Sequence, residues 1–161
     1  MNFIYEIISK TGINESHRQI VAQMLEEQQK IEPPYENKAD KCKLICIVSK
    51  YDIPIAIGAI KNKTERAFTP EKANVIDLSE KFEWELGYIF VKKEFEGQGI
   101  ASNIARLLLS QYGNDNLIAS PEINANPGMV KILNRFGFRL YGNPWKSNIH
   151  PNYLGLFLRF K

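Results

Sequence analysis

The chain has 161 residues, of which 44% are hydrophobic and 24% are charged, and its formal net charge is +3. This size supports one sizeable hydrophobic core, so we predict a single domain over residues 1–161. The mild positive charge suits an anionic ligand, but it is not gathered into the basic face of a nucleic-acid-binding protein, and we exclude nucleic acid as a partner.

The amino-terminal segment MNFIYEIISK has no basic leader and no cleavage site, and no apolar run in the chain reaches membrane-spanning length. We therefore expect a cytoplasmic protein with no membrane partner. The segment NFIYEII predicts a first strand, and SHRQIVAQMLEEQQKI predicts a helix. Ser16 and Gln19 form the predicted capping box of that helix, and the Pro33-Pro34 pair is predicted to end it. The apolar residues of the helix share one face: Ile20, Val21, Met24, Leu25 and Ile31.

Two β-rich runs follow, CKLICIVSK and IPIAIGAIKNK, separated by Tyr51 and Asp52. This arrangement predicts an antiparallel hairpin with a short turn. Residues 64–83 are polar and irregular, with one helical turn expected to begin at Thr69 and Pro70. We predict that this stretch is a surface insertion.

A third β-run, WELGYIFV, is nearly all apolar at its end and predicts a central strand. A helix with apolar residues at helical spacing follows, and then the strand NLIASPEI. The next helix has Asn126 as its predicted cap, Pro127 at its first position and Gly137 past its end. FRLYG and YLGLFLRF complete the order β-α-β-β-β-α-β-α-β-β, a mixed sheet with helices on its faces.

The cysteines and histidines do not group into a metal site, and we predict no metal. Cys42 and Cys46 lie four residues apart in an apolar run, which favours buried structural thiols in a strand. His17 lies in a polar helical stretch and His150 in a proline-flanked loop. Both histidines are predicted to be solvent-exposed, and neither supports a catalytic triad.

The turn between the central strand and its helix contains two glycines, Gly97 and Gly99. Removing side chains there lets backbone N–H groups approach a ligand, and the helix that begins near Ile100 adds its positive dipole end. A diphosphate suits such a site. Ser102 stands where the dinucleotide-binding motif needs a third glycine, and the Gly-Lys-Ser/Thr of nucleotide hydrolases is absent. Alone, the turn is equally compatible with a purely structural role.

Two segments in order make the pattern more specific. The turn reads Glu96-Gly97-Gln98-Gly99-Ile100-Ala101, and NPGMVKILNRFGF runs from Asn126 to Phe138. Together, residues 84–138 resemble the signature of the GNAT N-acetyltransferase superfamily, which is a strand, Arg/Gln-x-x-Gly-x-Gly/Ala opening a helix, and then Asn-x-x-x-x-x-Leu-Tyr-x-x-x-Gly-Phe. The resemblance implies an α/β fold with a central mixed, mostly antiparallel sheet that is splayed in the middle and has helices on both faces.

The resemblance also implies a cofactor, acetyl-CoA, with its pyrophosphate on the amides of residues 97–102 and its pantetheine arm along the strand that ends at Val91. Asn126 matches the family asparagine that touches this arm, although helix capping explains it equally well. Lys92, Lys93, Lys131 and Arg135 are either phosphate contacts or ordinary surface residues. The implied cofactor-binding residues are Ile89, Phe90, Val91, Gly97, Gln98, Gly99, Ile100, Ala101, Ser102 and Asn126.

Acetyl transfer to an amine needs a group that removes the amine proton. Glu85, at the beginning of the central strand, has the spacing of the general-base glutamate in some family members. The alternative is an exposed strand-end carboxylate. A backbone N–H near Phe90 or Val91 is expected to stabilise the oxyanion.

The sequence departs from the family pattern at two positions. Leu133 occupies the place of the tyrosine that many members use as the general acid, which leaves Tyr88, Tyr141 or water for that role. Glu96 replaces Arg/Gln and puts a negative charge beside the phosphate turn. We predict an N-acetyltransferase with a small-molecule or peptide amine as acceptor; the alternative is a non-catalytic CoA-binding module, and a homodimer is left open.

Overall fold

The computed structural model describes residues 2–161 and has the predicted order of strands and helices. The strands are Ile4–Ser9 (β1), Cys42–Lys50 (β2), Ile53–Asn62 (β3), Trp84–Val91 (β4), Leu117–Ala119 (β5), Arg139–Lys146 (β6) and Tyr153–Arg159 (β7). The α-helices are Glu15–Gln28 (α1), Ile100–Tyr112 (α2) and Pro127–Arg135 (α3). Short 3-10 helices cover Lys10–Gly12, Ala39–Lys41, Glu65–Phe68, Ile76–Lys81 and Lys93–Phe95. Among the described residues, no helix has the length and apolar character needed to cross a membrane.

The strands form one sheet in the order β1-β2-β3-β4-β5-β7-β6. Antiparallel pairing joins β1 to β2, β2 to β3, β5 to β7 and β6 to β7. β4 pairs with β5 in parallel, through Glu85 and Ile118. The predicted mixed, mostly antiparallel sheet is therefore confirmed. The predicted hairpin is also confirmed, because Tyr51 and Asp52 form the turn between β2 and β3 with φ values of 52° and 65°.

The chain has two compact units, each with its own apolar cluster. The first unit contains the chain up to Lys61 and Gly87–Gly113, and the second contains Asn62–Leu86 and Asn114–Lys161. In the first cluster, the buried face of α1 packs against β2 and β3 through Val21, Met24, Leu25, Ile45 and Ile57. The second cluster includes Phe68, Phe82, Ile118, Trp145 and Leu156.

The first helix begins and ends earlier than the sequence predicts. Its N-cap is Asn14 rather than Ser16: Asn14 Oδ1 accepts from His17 N at 3.0 Å, and His17 Nδ1 accepts from Asn14 N at 3.1 Å. The imidazole thus replaces the expected Gln19 as the returning half of the capping box. At the other end, Gln29 adopts a left-handed φ of 59° and stops the helix before the two prolines.

Residues 64–83 are not a surface insertion, and that prediction was wrong. Phe68 is fully buried and Phe82 is 3% exposed, so the segment supplies large side chains to the second cluster. Lys63 Nζ donates to the carbonyl oxygens of Ser79, at 2.6 Å, and Phe82, at 2.8 Å. The expected helical turn at Thr69 is a hydrogen-bonded turn instead, lying between two 3-10 helices. The sequence pattern did not reveal these buried residues, because apolar residues in short 3-10 helices repeat with neither the period of an α-helix nor that of a strand.

Both cysteines lie in β2 and are buried free thiols, which confirms the structural interpretation. Burial raises the pKa of the Cys42 thiol to about 12, and that of Cys46 also to about 12. Such thiols are weak nucleophiles at neutral pH. They therefore contribute packing rather than chemistry.

Candidate functional site

The glycine turn after β4 has the backbone conformation that requires glycine. Gly97 and Gly99 have φ values of 79° and 78°, and a Cβ added at either position would meet no atom within 4 Å. Conformation rather than crowding therefore selects glycine here. Residues 96–99 are exposed, whereas Ile100 is 2% exposed and anchors the start of α2 in the interior.

The N-terminal end of α2 presents main-chain donors. Gly99 is the N-cap and provides no side-chain hydrogen bond to the helix, whose first intrahelical bond runs from Asn103 N to Gly99 O at 3.0 Å. The N–H groups of the first helical turn have no acceptor within an α-helix, and the helix dipole is positive at this end. The contiguous predicted residues Gly97 to Ser102 therefore form a backbone arrangement suited to an anion. Glu96 is exposed at the beginning of this turn.

Strand β4 contains an irregularity that the sequence did not indicate. Tyr88 has a φ of 57°, a left-handed conformation that is uncommon for a bulky residue inside a strand. Such conformations cluster at functional sites, where the surrounding structure maintains them. The Tyr88 ring packs against the first apolar cluster and lies 5.3 Å from Lys61 Nζ. No local signal predicts this φ, because only glycine or asparagine adopts it readily.

Near its end, strand β4 has one hydrogen-bonding edge that faces β3 and one that faces away from β3. Lys92 N donates to Ile55 O of β3 at 2.9 Å. Because successive N–H groups of a strand point to opposite sides, Phe90 N–H is directed at β3 and Val91 N–H is directed away. Of the two oxyanion donors expected from the sequence, Val91 is thus the one on the side of β4 away from β3.

The last turn of α1 makes two polar contacts with the end of β4. Gln28 Nε2 donates to Ile89 O at 3.2 Å, and Glu27 Oε1 lies 3.6 Å from Lys92 Nζ. Lys92, a candidate phosphate contact, is therefore already engaged in an ion pair. Sequence reasoning missed both contacts, since they join residues more than 60 positions apart and no periodicity records such pairs.

Glu85 is buried, at 4% exposure, so the alternative of an exposed carboxylate is wrong. Its Oε1 accepts from Thr64 N and its Oε2 from Ser120 Oγ, both at 2.7 Å. A carboxylate removed from water needs such donors, and short charge-assisted bonds fix its orientation. Thr64 and Ser120 are further residues of this site that the sequence did not single out.

The second motif forms α3. Asn126 caps the helix, with its Oδ1 accepting from Met129 N at 3.3 Å and Pro127 at the first helical position, as predicted. Leu133 is 1% exposed, so an aliphatic core residue stands at the position of the family tyrosine. Tyr141 packs in the second apolar cluster with its ring 5.6 Å from that of Phe160. Its environment favours a packing role.

His150 is not solvent-exposed, contrary to the prediction from its proline-flanked loop. Its Nε2 lies 3.4 Å from Glu122 Oε1, and the two side chains are 12% and 13% exposed. Asn152 supports both partners, because its Nδ2 donates to Glu122 Oε2 at 3.3 Å and its N donates to His150 Nδ1 at 3.2 Å. The loop folds back onto the segment after β5, which explains the burial.

In a comparison with protein-family models, residues 70–149 match the acetyltransferase (GNAT) domain. This range contains β4, the glycine turn and α3. Residues 70–149 therefore form a GNAT acetyltransferase domain. A search of curated protein sequences found no match.

Solved structures show the same fold at low sequence identity. An acyl-CoA N-acyltransferase from Pseudomonas aeruginosa has a TM-score of 0.70 at 11% identity, with 98% of this chain and 99% of that chain covered. NAA60 from Arabidopsis thaliana, solved with a bisubstrate analogue, has a TM-score of 0.66 at 14% identity and 98% coverage of both chains. The NatC complex bound to Gag peptide and CoA has a TM-score of 0.69 at 13% identity, covering 100% of this chain and 99% of that chain.

Proposed function

We propose that this protein is an acetyl-CoA-dependent N-acetyltransferase that transfers the acetyl group to a primary amine of a small molecule or peptide. The proposal is carried by three structural features that follow one another along the chain. Tyr88 has a left-handed conformation within β4, Gly97 and Gly99 have positive φ values, and the N-terminus of α2 has no side-chain cap. The family match supports acetyl transfer in general, and the CoA bound to the similar NatC chain supports the cofactor.

In the proposed complex, the pyrophosphate of acetyl-CoA accepts from the main-chain N–H groups of residues 97–102. The pantetheine arm runs beside Ile89, Phe90 and Val91, adding to the side of β4 away from β3 as an extra strand would. Asn126 is proposed to contact this arm from the start of α3, beyond its capping role. Glycine at 97 and 99 keeps the turn clear of side chains.

In the proposed reaction, the amine nitrogen attacks the thioester carbonyl carbon, and the resulting tetrahedral oxyanion accepts from Val91 N–H. Glu85 takes the proton that the nitrogen loses, directly or through a water molecule. Collapse of the intermediate forms the amide, breaks the C–S bond and leaves a CoA thiolate. Water is the proposed proton donor to the thiolate, because Leu133 has no acidic proton and the rings of Tyr88 and Tyr141 are packed against apolar residues.

Acetyl-CoA binding and turnover are tested with two measurements. Acetyl-CoA at 100 times its Kd is expected to add about 2.7 kcal/mol to the free energy of unfolding and to raise the Tm accordingly. Thiol release is then followed over alkyl amines, polyamines, aminoglycosides and peptides with a free α-amine. Binding with turnover supports the proposal, and the absence of a Tm shift contradicts it.

The role of Glu85 is tested by Glu85→Gln. The amide keeps the side-chain length and both hydrogen-bonded neighbours, so folding is preserved, but it cannot take a proton. Turnover is expected to fall about 10²- to 10⁴-fold at pH values below the pKa of the acceptor amine, with the Kd for CoA unchanged. Glu83→Gln, two residues away and exposed, is the matched control. Equal turnover of the Glu85 variant and the control at neutral pH excludes Glu85 as the base.

The buried Leu133 favours a second candidate, a CoA-binding regulatory module of the same fold. Loss of the tyrosine removes the acid that many family members use, without altering the phosphate turn. This candidate predicts a Tm increase with CoA and only background thiol release over the whole amine panel. The two measurements above therefore distinguish the enzyme from the module.

A further inference from the structure

Glu85, the proposed base, is more deeply buried than the serine that is bonded to it. Glu85 is 4% exposed, whereas Ser120, whose Oγ donates to Glu85 Oε2 at 2.7 Å, is half-buried. A base must lie within hydrogen-bond reach of the proton that it takes, directly or through one intervening group. The more accessible residue at this carboxylate is therefore a candidate for the intervening group.

The two hydrogen-bond donors to Glu85 differ in how they respond when the carboxylate gains a proton. Thr64 N donates to Oε1 at 2.7 Å, and a backbone N–H can only donate, so a proton on Oε1 would face another hydrogen atom. The Ser120 hydroxyl donates to Oε2, but a hydroxyl can rotate and accept instead. A proton on Glu85 is therefore accommodated on Oε2, where the bond to Ser120 persists with its direction reversed.

Ser120 lies between two carboxylate residues on one face of the sheet. The register of β5 on β7 continues past the end of β5, because Glu122 bridges Leu154. Residues two apart in an extended strand share a face, so Ser120 shares that of Glu122 and also that of Ile118, the partner of Glu85 in β4. Negative charge on both sides of the hydroxyl favours the approach of a protonated amine.

We propose that Ser120 is the proton relay between the acceptor nitrogen and Glu85, an inference that rests on the proposed function. The acceptor nitrogen donates a hydrogen bond to Ser120 Oγ. As the nitrogen gives this proton to Oγ, the hydroxyl gives its own proton to Glu85 Oε2. One N–H bond and one O–H bond break, two O–H bonds form, and Ser120 ends with the composition it began with. Ser120 is then a catalytic residue, and Thr64 is a positioning residue that orients the carboxylate.

The relay is tested by comparing Ser120→Thr with Ser120→Val, because threonine and valine have the same shape and only threonine has a hydroxyl. At saturating acetyl-CoA and with the fastest amine of the panel, kcat is expected to stay within about 3-fold of wild type for Ser120→Thr and to fall about 10- to 100-fold for Ser120→Val. The Kd for CoA is expected to be unchanged in both. Ser110→Ala, which removes an exposed hydroxyl from α2, is the control. Equal kcat values for Ser120→Thr and Ser120→Val overturn the inference.

A second measurement uses the free protein and needs no turnover. Acidification adds the carboxylic C=O stretching band of protonated Glu85 to the infrared spectrum, and Glu85→Gln identifies this band by removing it. Because the Glu85 O–H donates to the hydroxyl at position 120, the band is expected at lower frequency in wild type and Ser120→Thr than in Ser120→Val. One common frequency in the three proteins overturns the inference. Absence of turnover by the wild-type protein contradicts the proposed function, and the infrared comparison then still decides which neighbour faces the Glu85 proton.

Discussion

Glu96 is the residue at which the phosphate turn departs most clearly from the family pattern. Its carboxylate lies at the beginning of an exposed loop whose hydrogen-bond donors are backbone N–H groups. A negative charge near a helix N-terminus stabilises the helix but opposes a phosphate ligand at the same place. Glu96 is therefore expected to increase the stability of the free protein and to decrease its affinity for CoA.

Glu96→Gln is expected to lower the Kd for CoA about 2- to 5-fold at low ionic strength, as loss of one exposed like charge is worth about 0.3–1 kcal/mol. Calorimetry gives the Kd, and the difference from wild type should shrink as salt is added. Glu94→Gln, exposed in the preceding 3-10 helix, is the control. An unchanged Kd for the Glu96 variant would place the phosphates away from this turn.

Residue-level prediction from the sequence was reliable where local chemistry decides the outcome. Gly97 and Gly99 adopt positive φ and Asn126 caps α3, because turn and cap geometry is encoded within a few positions. The bond from Gln28 to Ile89 and the left-handed φ of Tyr88 were not predictable. Both depend on elements that meet only after the chain has folded.

At the scale of the element, β6 is fixed by a close backbone approach to the segment between β3 and β4. Gly142 has a φ of 70°, and a Cβ added there would lie 2.1 Å from Ala73 O. Asn143 N donates to the same carbonyl at 2.9 Å. The glycine therefore allows β6 to bind residue 73, which itself belongs to the second apolar cluster.

Gly142→Ala is expected to lower the free energy of unfolding by about 2–4 kcal/mol, because a left-handed conformation and a clash with backbone combine. Urea denaturation measures the loss. Gly99→Ala is the control: its φ of 78° is close to that of Gly142, but a Cβ there meets no atom within 4 Å. If both variants lose the same stability, the approach to Ala73 contributes nothing.

Element order was predictable, whereas element ends and irregular segments were not. Most strands and helices have the apolar pattern of their type, and all ten elements appear in the predicted order. The cap of α1 was misplaced because His17 closes the capping box in place of Glu or Gln. Residues 64–83 were misjudged because Phe68 and Phe82 occur in a polar context without period.

For the whole molecule, the two buried thiols of β2 link stability to pH. Cys42 and Cys46 have pKa values raised to about 12 by burial in the folded chain, whereas an exposed cysteine has a pKa of about 8.5. Between these values, the unfolded chain loses protons that the folded chain retains. Stability contributed by the protonated thiols is therefore fully present below about pH 8.5 and is lost as pH rises toward 12.

The free energy of unfolding is expected to fall between pH 9 and pH 11 by about 1.4 kcal/mol per pH unit for each thiol. Urea denaturation at pH 8, 9, 10 and 11 measures this slope. Tyrosines and lysines also titrate in this range, so the slope is compared with that of Cys42→Ala/Cys46→Ala. The double variant is less stable at pH 8 because it leaves cavities, but its slope should be shallower by the contribution of two thiols. Parallel slopes for the two proteins would mean that these sulfurs ionise as readily in the folded chain as in the unfolded one.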